Sequence, residues 1–138
     1  MKPLSWSISI SAAALVFAGS GCAGVKLHCR QRNADFARRI ESIKQDAHEQ
    51  LKIGTKKDDV ARFYSEHKIP FEIVSWPFKD GESVVTGTKA TGTLYTNGGC
   101  PPFGCSSDRA LIGVRVRVDA DGTVIGKPDV VSIYTDCL

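Results

Sequence analysis

The sequence predicts one small α+β domain, in which two N-terminal helices pack on an antiparallel β-meander of three to four strands. Two observations support this fold class: a helical period before Pro70 and an alternating period beyond it. An uncharged apolar run at the start of the chain precedes the domain. The chain accordingly divides into a signal peptide at 1–21, a tether at 22–30 and a single α+β domain at 31–138.

The first 21 residues have the form of a signal peptide. Lys2 gives a positive start, and residues 4–18 contain no charged side chain. An apolar run of about 15 residues is shorter than the roughly 20 that span a bilayer. It ends in small residues, Gly19-Ser20-Gly21, after which signal peptidases cut. We therefore expect cleavage before Cys22.

The residues around this cleavage point, Ala18-Gly19-Ser20-Gly21-Cys22, resemble the lipobox of bacterial lipoproteins. The resemblance implies that the Cys22 thiol carries diacylglycerol and that the new amino terminus is acylated, which would anchor the protein in membrane lipid. Ala23 in place of Asp at the next position implies an outer-membrane location facing the periplasm. An ordinary secretory signal cut at a nearby small residue is the alternative.

Two helices follow. Apolar residues recur at helical spacing in residues 31–51, on a face made of Phe36, Ile40, Ile43, Ala47 and Leu51. A second helix is predicted over about 56–68 and ends before Pro70. Its buried residues are expected to be Val60, Phe63 and either Tyr64 or His67.

Beyond Pro70 the pattern is typical of strands. Strands are predicted over 71–76, 84–95, 112–118 and 123–134. The third has the clearest alternation, because valine and isoleucine alternate with glycine and arginine, which indicates one buried and one wet face. Gly126-Lys127-Pro128 interrupts the fourth, which suggests a bulge or a sheet edge.

Cysteines indicate an oxidising compartment. With Cys22 assigned to lipid, an even number remains in a short exported chain, which favours two disulfides. The four are Cys29, Cys100, Cys105 and Cys137.

Two pairings follow from possible strand registers. A register that puts Thr96 opposite Arg109 also puts Cys100 opposite Cys105, which leaves the first and last of the four cysteines to pair. A three-residue turn at 120–122 instead puts Cys105 opposite the last cysteine. We favour the first scheme.

Several function classes are excluded at this point. A net charge of +3 without a basic stripe argues against nucleic-acid binding. His28 beside a cysteine lacks the paired ligands of a structural zinc site, so we expect neither metal nor cofactor. Ser106-Ser107-Asp108 lacks the Gly-x-Ser-x-Gly context and a neighbouring histidine, so we expect no enzyme.

Two short motifs resemble small outer-membrane lipoproteins of the BamE/SmpA type and the related inhibitor-like αα-βββ fold. The first is Leu51-Lys52-Ile53-Gly54-Thr55-Lys56-Lys57-Asp58-Asp59-Val60, and the second is the Asp/Gly turn Val118-Asp119-Ala120-Asp121-Gly122-Thr123-Val124. The resemblance covers roughly residues 40–125. It implies the fold and the location only.

The resulting hypothesis is a non-catalytic scaffold or accessory binding module that contacts an envelope protein. The alternative is an inhibitor or immunity-type lipoprotein that blocks a target with the loop 100–105, through Pro101, Pro102 and Phe103. An exposed Phe103 ring would favour blocking, whereas a buried ring would favour a purely structural loop.

Overall fold

The computed structural model describes residues 20–80 and 83–137, and this part of the chain forms two helices and four strands. The helices are α1 (Ser20–Gln50) and α2 (Lys57–Glu66). The strands are β1 (Phe71–Asp80), β2 (Ser83–Asn97), β3 (Arg109–Val118) and β4 (Asp129–Tyr134). They form one sheet in the order β1-β2-β3-β4, antiparallel throughout. The α+β class is therefore confirmed, whereas most of the predicted signal peptide lies outside the described residues.

The core lies between the helices and one face of the sheet. The apolar face predicted for α1 is confirmed, since Ile43, Ala47 and Leu51 are at most 2% exposed. Phe36 and Ile40 pack partly buried against the same core. The α2 residues that turn inward are Val60, Phe63 and Tyr64.

The second helix packs on the centre of the sheet. Tyr64 donates its phenolic hydrogen bond to the carbonyl oxygens of Ala90 and Val114, at 3.2 and 3.1 Å. Burial raises the pKa of this phenol above its ordinary range. Gly92 makes the approach possible, because a Cβ there would stand 2.8 Å from the Tyr64 ring and 2.7 Å from Ile69.

The first helix is longer than predicted. It begins at Ser20, so the segment 22–30 that we expected to be a tether is helical. Leu27, His28 and Arg30 are exposed, and an unpacked turn has no apolar period by which the sequence could reveal it.

The strands agree with the prediction at their centres and differ at their ends. In β3 the alternation is confirmed, with four residues at most 2% exposed: Ile112, Val114, Val116 and Val118. β1 continues to Asp80 and β2 begins at Ser83, so both strands include residues that we expected to lie in a loop. The interruption in the last strand is confirmed, because a bridge from Val124 to Val118 precedes it and β4 begins only at Asp129.

The other face of the sheet carries no helix within the described residues. Trp76 of β1, Tyr95 of β2 and Ile133 of β4 lie on it and are 48%, 68% and 56% exposed. Neither described helix is long and apolar enough to cross a membrane.

Candidate functional site

The loop between β2 and β3 carries the predicted partner-binding residues, and polar contacts close its base. The amide of Gly98 donates to the carbonyl of Asp108 at 2.8 Å. The Asn97 side chain donates to the Asp108 carboxylate at 2.5 Å, and its own oxygen accepts from the amide of Gly99 at 2.8 Å. The two ends of the loop are therefore held side by side.

A cation from α1 completes this base. Arg32 donates to the Asp108 carboxylate at 2.8 Å and to the Asn97 side-chain oxygen at 2.6 Å. The hydrogen bonds from Arg32 and Asn97 lower the pKa of Asp108 below its ordinary value. Asp108 is thus charged at neutral pH and fastens the loop to α1.

The loop backbone also lies directly on α1. The Asn33 side-chain oxygen accepts from the amide of Cys100 at 2.7 Å. Gly99 has a φ of +91°, and a Cβ there would lie 2.8 Å from the Asn33 backbone nitrogen. Only glycine combines this backbone conformation with so close a contact.

Two disulfides fasten the two sides of the loop to different elements. Cys29 of α1 bonds to Cys100, with Cα atoms 5.2 Å apart, and Cys105 bonds to Cys137. The prediction of two disulfides among these four cysteines is confirmed.

The pairing that we favoured is wrong. The observed register places Thr96 opposite Ala110 rather than opposite Arg109, and the chain leaves the sheet after Asn97, so Cys100 does not face Cys105. The alternative pairing of Cys105 with Cys137 holds instead, and an isolated bridge joins these two residues, as another joins Val118 to Val124. Between these bridges β3 and β4 pair two positions away from the register that we considered, with Ala110 opposite Tyr134. The loop is therefore not closed on itself but cross-linked at both sides.

The end of β4 and the C-terminal segment contact both sides of the loop. The Tyr134 hydroxyl donates to the carbonyl of Gly98 at 2.6 Å. The hydroxyl of Ser107 donates to the Asp136 carboxylate at 2.8 Å, and the amide of Ser106 donates to the Asp136 carbonyl at 3.0 Å. These serines therefore hold the chain end against the loop.

The tip of the loop stands free of the domain. Pro101, Pro102, Phe103 and Gly104 are exposed, and the Phe103 side chain makes no burying contact. The amide of Cys105 donates to the Pro102 carbonyl at 3.2 Å, which forms a tight turn around the phenylalanine. An exposed Phe103 ring is what we expected if the loop blocks a target protein.

The predicted lipidation site lies at the start of α1. Cys22 is in the first turn of the helix, seven residues before Cys29. At 1.5 Å per residue this separation is about 10 Å along the helix axis. Lipidation of Cys22 stays a prediction.

Metal ligands do not cluster in the described part of the chain, which contains no group of three or more histidine, cysteine, aspartate or glutamate side chains placed to hold an ion. All four cysteines of the domain are in disulfides. The chemistry that the loop itself offers is apolar and aromatic contact.

Comparisons with known proteins found no matching family model, no similar characterised protein and no similar solved structure. The BamE/SmpA-type resemblance therefore stays a prediction that rests on its two short motifs.

The sequence reasoning missed the residues that hold the loop. Arg32, Asn33, Asn97 and Asp108 read individually as surface polar residues. The only local signal was their position, since Asn97 and Asp108 flank the loop directly. The two α1 residues become recognisable only when the Cys29–Cys100 disulfide brings the helix to the loop.

Proposed function

We propose that the protein is a lipid-anchored envelope protein that acts as a non-catalytic binding module, with the loop 100–105 as its contact surface. A single observation supports this most strongly: Phe103 is fully exposed on a loop whose two sides are cross-linked to different elements. Exposed aromatic side chains on rigid supports are typical anchors of protein interfaces.

The rigidity of the loop favours binding. A flexible loop loses conformational freedom when a partner orders it, and a loop already held in one conformation avoids most of that cost. Two prolines restrict the backbone before Phe103, and the disulfides of Cys100 and Cys105 restrain the loop at both sides. The partner that fits this surface is a protein with an apolar pocket for one ring.

The anchor in this proposal is acylated Cys22, supported by the lipobox-like residues 18–22 and by the disulfides of an exported domain. In the mature protein α1 and α2 would then be the two N-terminal helices of a BamE/SmpA-type fold at the outer membrane, facing the periplasm.

Site-specific photo-crosslinking in the intact envelope tests the binding module. A photoreactive residue at position 103 should yield one discrete crosslinked protein band. The same residue at Tyr95, an aromatic position on the sheet that is 68% exposed, is the matched control and should yield none. Equal yields from the two positions, or no band from position 103, would contradict the proposal.

The exposed ring also favours the second candidate, an inhibitor or immunity-type protein that blocks its target through the same loop. The two differ in what happens to the crosslinked partner. For an inhibitor, Phe103→Ala should restore the partner's own activity, whereas for a scaffold the partner should be equally active with the wild-type protein and with the variant.

A further inference from the structure

A cavity of about 450 Å³ lies where α1 ends, away from the loop 100–105. The last turn of α1 and the residues after it form one wall, and the segment 124–128 before β4 forms the other. The side chains that line the cavity are His48, Leu51, Lys52, Ile53, Lys127 and Pro128. Its volume lies within the range that is typical of small-molecule sites.

Backbone hydrogen bonds hold the two walls together. The amide of Gly54 donates to the carbonyl of Val124 at 2.8 Å, and the amide of Val124 donates to the carbonyl of Thr55 at 2.9 Å. On its other side the segment is fastened to β3, because the amide of Ile125 donates to the carbonyl of Arg117 at 2.9 Å. The cavity is therefore formed before any ligand binds, which lowers the entropic cost of binding.

Part of the lining is apolar. Leu51 is fully buried whereas Ile53 is 71% exposed, so the apolar surface extends from the core outward to the solvent. Pro128 adds a rigid apolar ring on the opposite wall. A ligand with an apolar body would remove this surface from water, which favours binding.

The ionisable side chains of the lining are all basic. They are His48, Lys52 and Lys127. The ion pairs of the described residues include neither of these two lysines, so no described carboxylate neutralises their charge. The cavity therefore combines an apolar surface with an excess of positive charge.

The carboxylates nearest in sequence to the two lysines have other partners. Glu49 accepts a hydrogen bond from the Gln45 side chain at 3.0 Å. Asp129 bonds to Arg115. Neither acidic side chain lines the cavity.

The end of α1 does not by itself explain these basic side chains. Cations in the last turn of a helix balance the negative end of its dipole, which accounts for His48 and Lys52. However, Lys127 lies on the other wall and belongs to no helix. The carbonyl of Gln50 is also satisfied, because the Thr55 hydroxyl donates to it at 2.9 Å.

We propose that this cavity binds a small amphipathic carboxylate, such as a medium-chain fatty acid. Lys52 and Lys127 would attract the carboxylate from the two walls. The alkyl chain would cover Ile53 and Pro128. A neutral apolar ligand would leave the two ammonium groups without a counter-charge, and a small inorganic anion would leave the apolar lining in water.

This assignment goes beyond the binding module and does not depend on it. Asn33, which contacts the loop 100–105, lies about 25 Å from Gln50 along the axis of α1. Loss of lipidation at Cys22 or of partner binding at Phe103 would therefore leave the cavity intact.

Nuclear magnetic resonance of the isotope-labelled full chain provides the test. Sodium octanoate is titrated at constant ionic strength. Acetate is the control that has the charge without the alkyl chain, and octylamine is the control that has the chain with the opposite charge. We expect saturable shifts of the amide signals of Lys52, Ile53 and Lys127 with octanoate, and much weaker shifts with either control.

Variants remove the charge and the apolar contact separately. Lys52→Gln and Lys127→Gln should each weaken octanoate binding by about two- to fivefold, the range expected for an exposed ion pair. Their matched control is Lys56→Gln, because Lys56 is exposed but does not line the cavity. Ile53→Ser should also weaken binding, and Ile125→Ser is its control, since Ile125 is 45% exposed and lies outside the lining. Both controls should bind octanoate as the wild type does.

Several results would overturn the assignment. One is the absence of a saturable response to octanoate, and another is equal binding of octylamine, which would indicate an apolar groove without selectivity for charge. An equal loss of affinity in Lys56→Gln would indicate attraction by net charge alone. Binding of acetyl-dileucine without binding of octanoate would also overturn it, because the occupant would then be the chain end of a protein.

Discussion

At the scale of single residues, two of the three glycines of the β2–β3 loop have a positive φ and differ in what surrounds them. Gly99 and Gly104 have nearly the same backbone conformation, with φ of +91° and +93°. A side chain at Gly99 would collide with Asn33, whereas nothing lies within 4 Å of a Cβ at Gly104. Substitutions at these two glycines therefore distinguish the cost of backbone strain from the cost of steric contact.

We expect Gly104→Ala to lower the free energy of unfolding by about 1–2 kcal/mol, the usual cost of a left-handed conformation. Gly99→Ala should cost about 3 kcal/mol or more, because strain and collision with α1 add together. Urea unfolding with the disulfides intact measures both. Equal losses in the two variants would show that the loop does not press on α1.

The charge of Asp108 gives a prediction about pH. Its pKa lies below the ordinary 3.8 because Arg32 and Asn97 hydrogen-bond to the carboxylate. The stabilisation is therefore fully present above the ordinary pKa and is lost as the pH falls through the lowered value. Asp108→Asn should be less stable than the wild type at pH 7, and the difference should vanish in strong acid.

Urea unfolding of both proteins across the acid range checks this pH dependence. Asp58→Asn on α2 is the control, because Asp58 is exposed and lies away from the loop. A stability difference for Asp108→Asn that stays constant down to low pH would contradict the electrostatic explanation.

At the scale of elements, the sequence predicts mainly the elements whose buried positions show as a regular spacing of apolar residues. The buried face of α1 and the alternation of β3 were predictable because each buried position shows in the spacing of apolar residues. The first turns of α1 show no such spacing, because the side chains described there, such as Leu27, His28 and Arg30, are exposed.

The pairing of cysteines depends on positions that no local pattern contains. A shift of one residue between β2 and β3 was enough to invalidate the pairing of Cys100 with Cys105. The partner of Cys100 lies on α1, 71 residues away, and the packing of the helix end on the loop decides it.

The two disulfides should be similar in global effect and different in local effect. They join residues separated by 71 and 32 positions, so removal of either should cost about 4 kcal/mol on the chain-entropy model. Cys29→Ala with Cys100→Ala should raise amide hydrogen exchange in the first turns of α1. Cys105→Ala with Cys137→Ala should raise it in residues 135–137 instead.

Hydrogen exchange with mass-spectrometric readout distinguishes these variants, and each pair serves as the control for the other. Exchange that increases in the same segments for both pairs would contradict the view that the two bonds fasten separate elements to the loop.

At the scale of the whole molecule, three surfaces are separate: the helix side, the loop end and the open face of the sheet. The change from a helical to an alternating period at Pro70 was sufficient to predict the α+β class. The distribution of function over its surfaces was not predictable, because it depends on which face the helices cover.

The whole-molecule prediction concerns export. Cys22→Ser should accumulate as a larger, uncleaved precursor, because the lipoprotein signal peptidase acts only after the thiol is lipidated. Immunoblotting of cell fractions shows the size, and Cys29→Ser is the control that should still be cleaved. A mature-sized Cys22→Ser protein would contradict the lipid anchor.

Because α1 is continuous from Cys22 to Cys29, it limits how far from the membrane a partner can be bound. If Cys22 carries lipid, about 10 Å of helix separates the acyl chains from Cys29. Cys100 is bonded to that cysteine, and Phe103 follows only three residues later, at most about 10 Å of extended chain. The ring would then be confined to a thin layer above the lipid. The protein and a membrane-bound partner would then meet by diffusion in the plane of the membrane, at a high effective concentration. Only proteins whose pocket opens close to the bilayer surface could bind the ring.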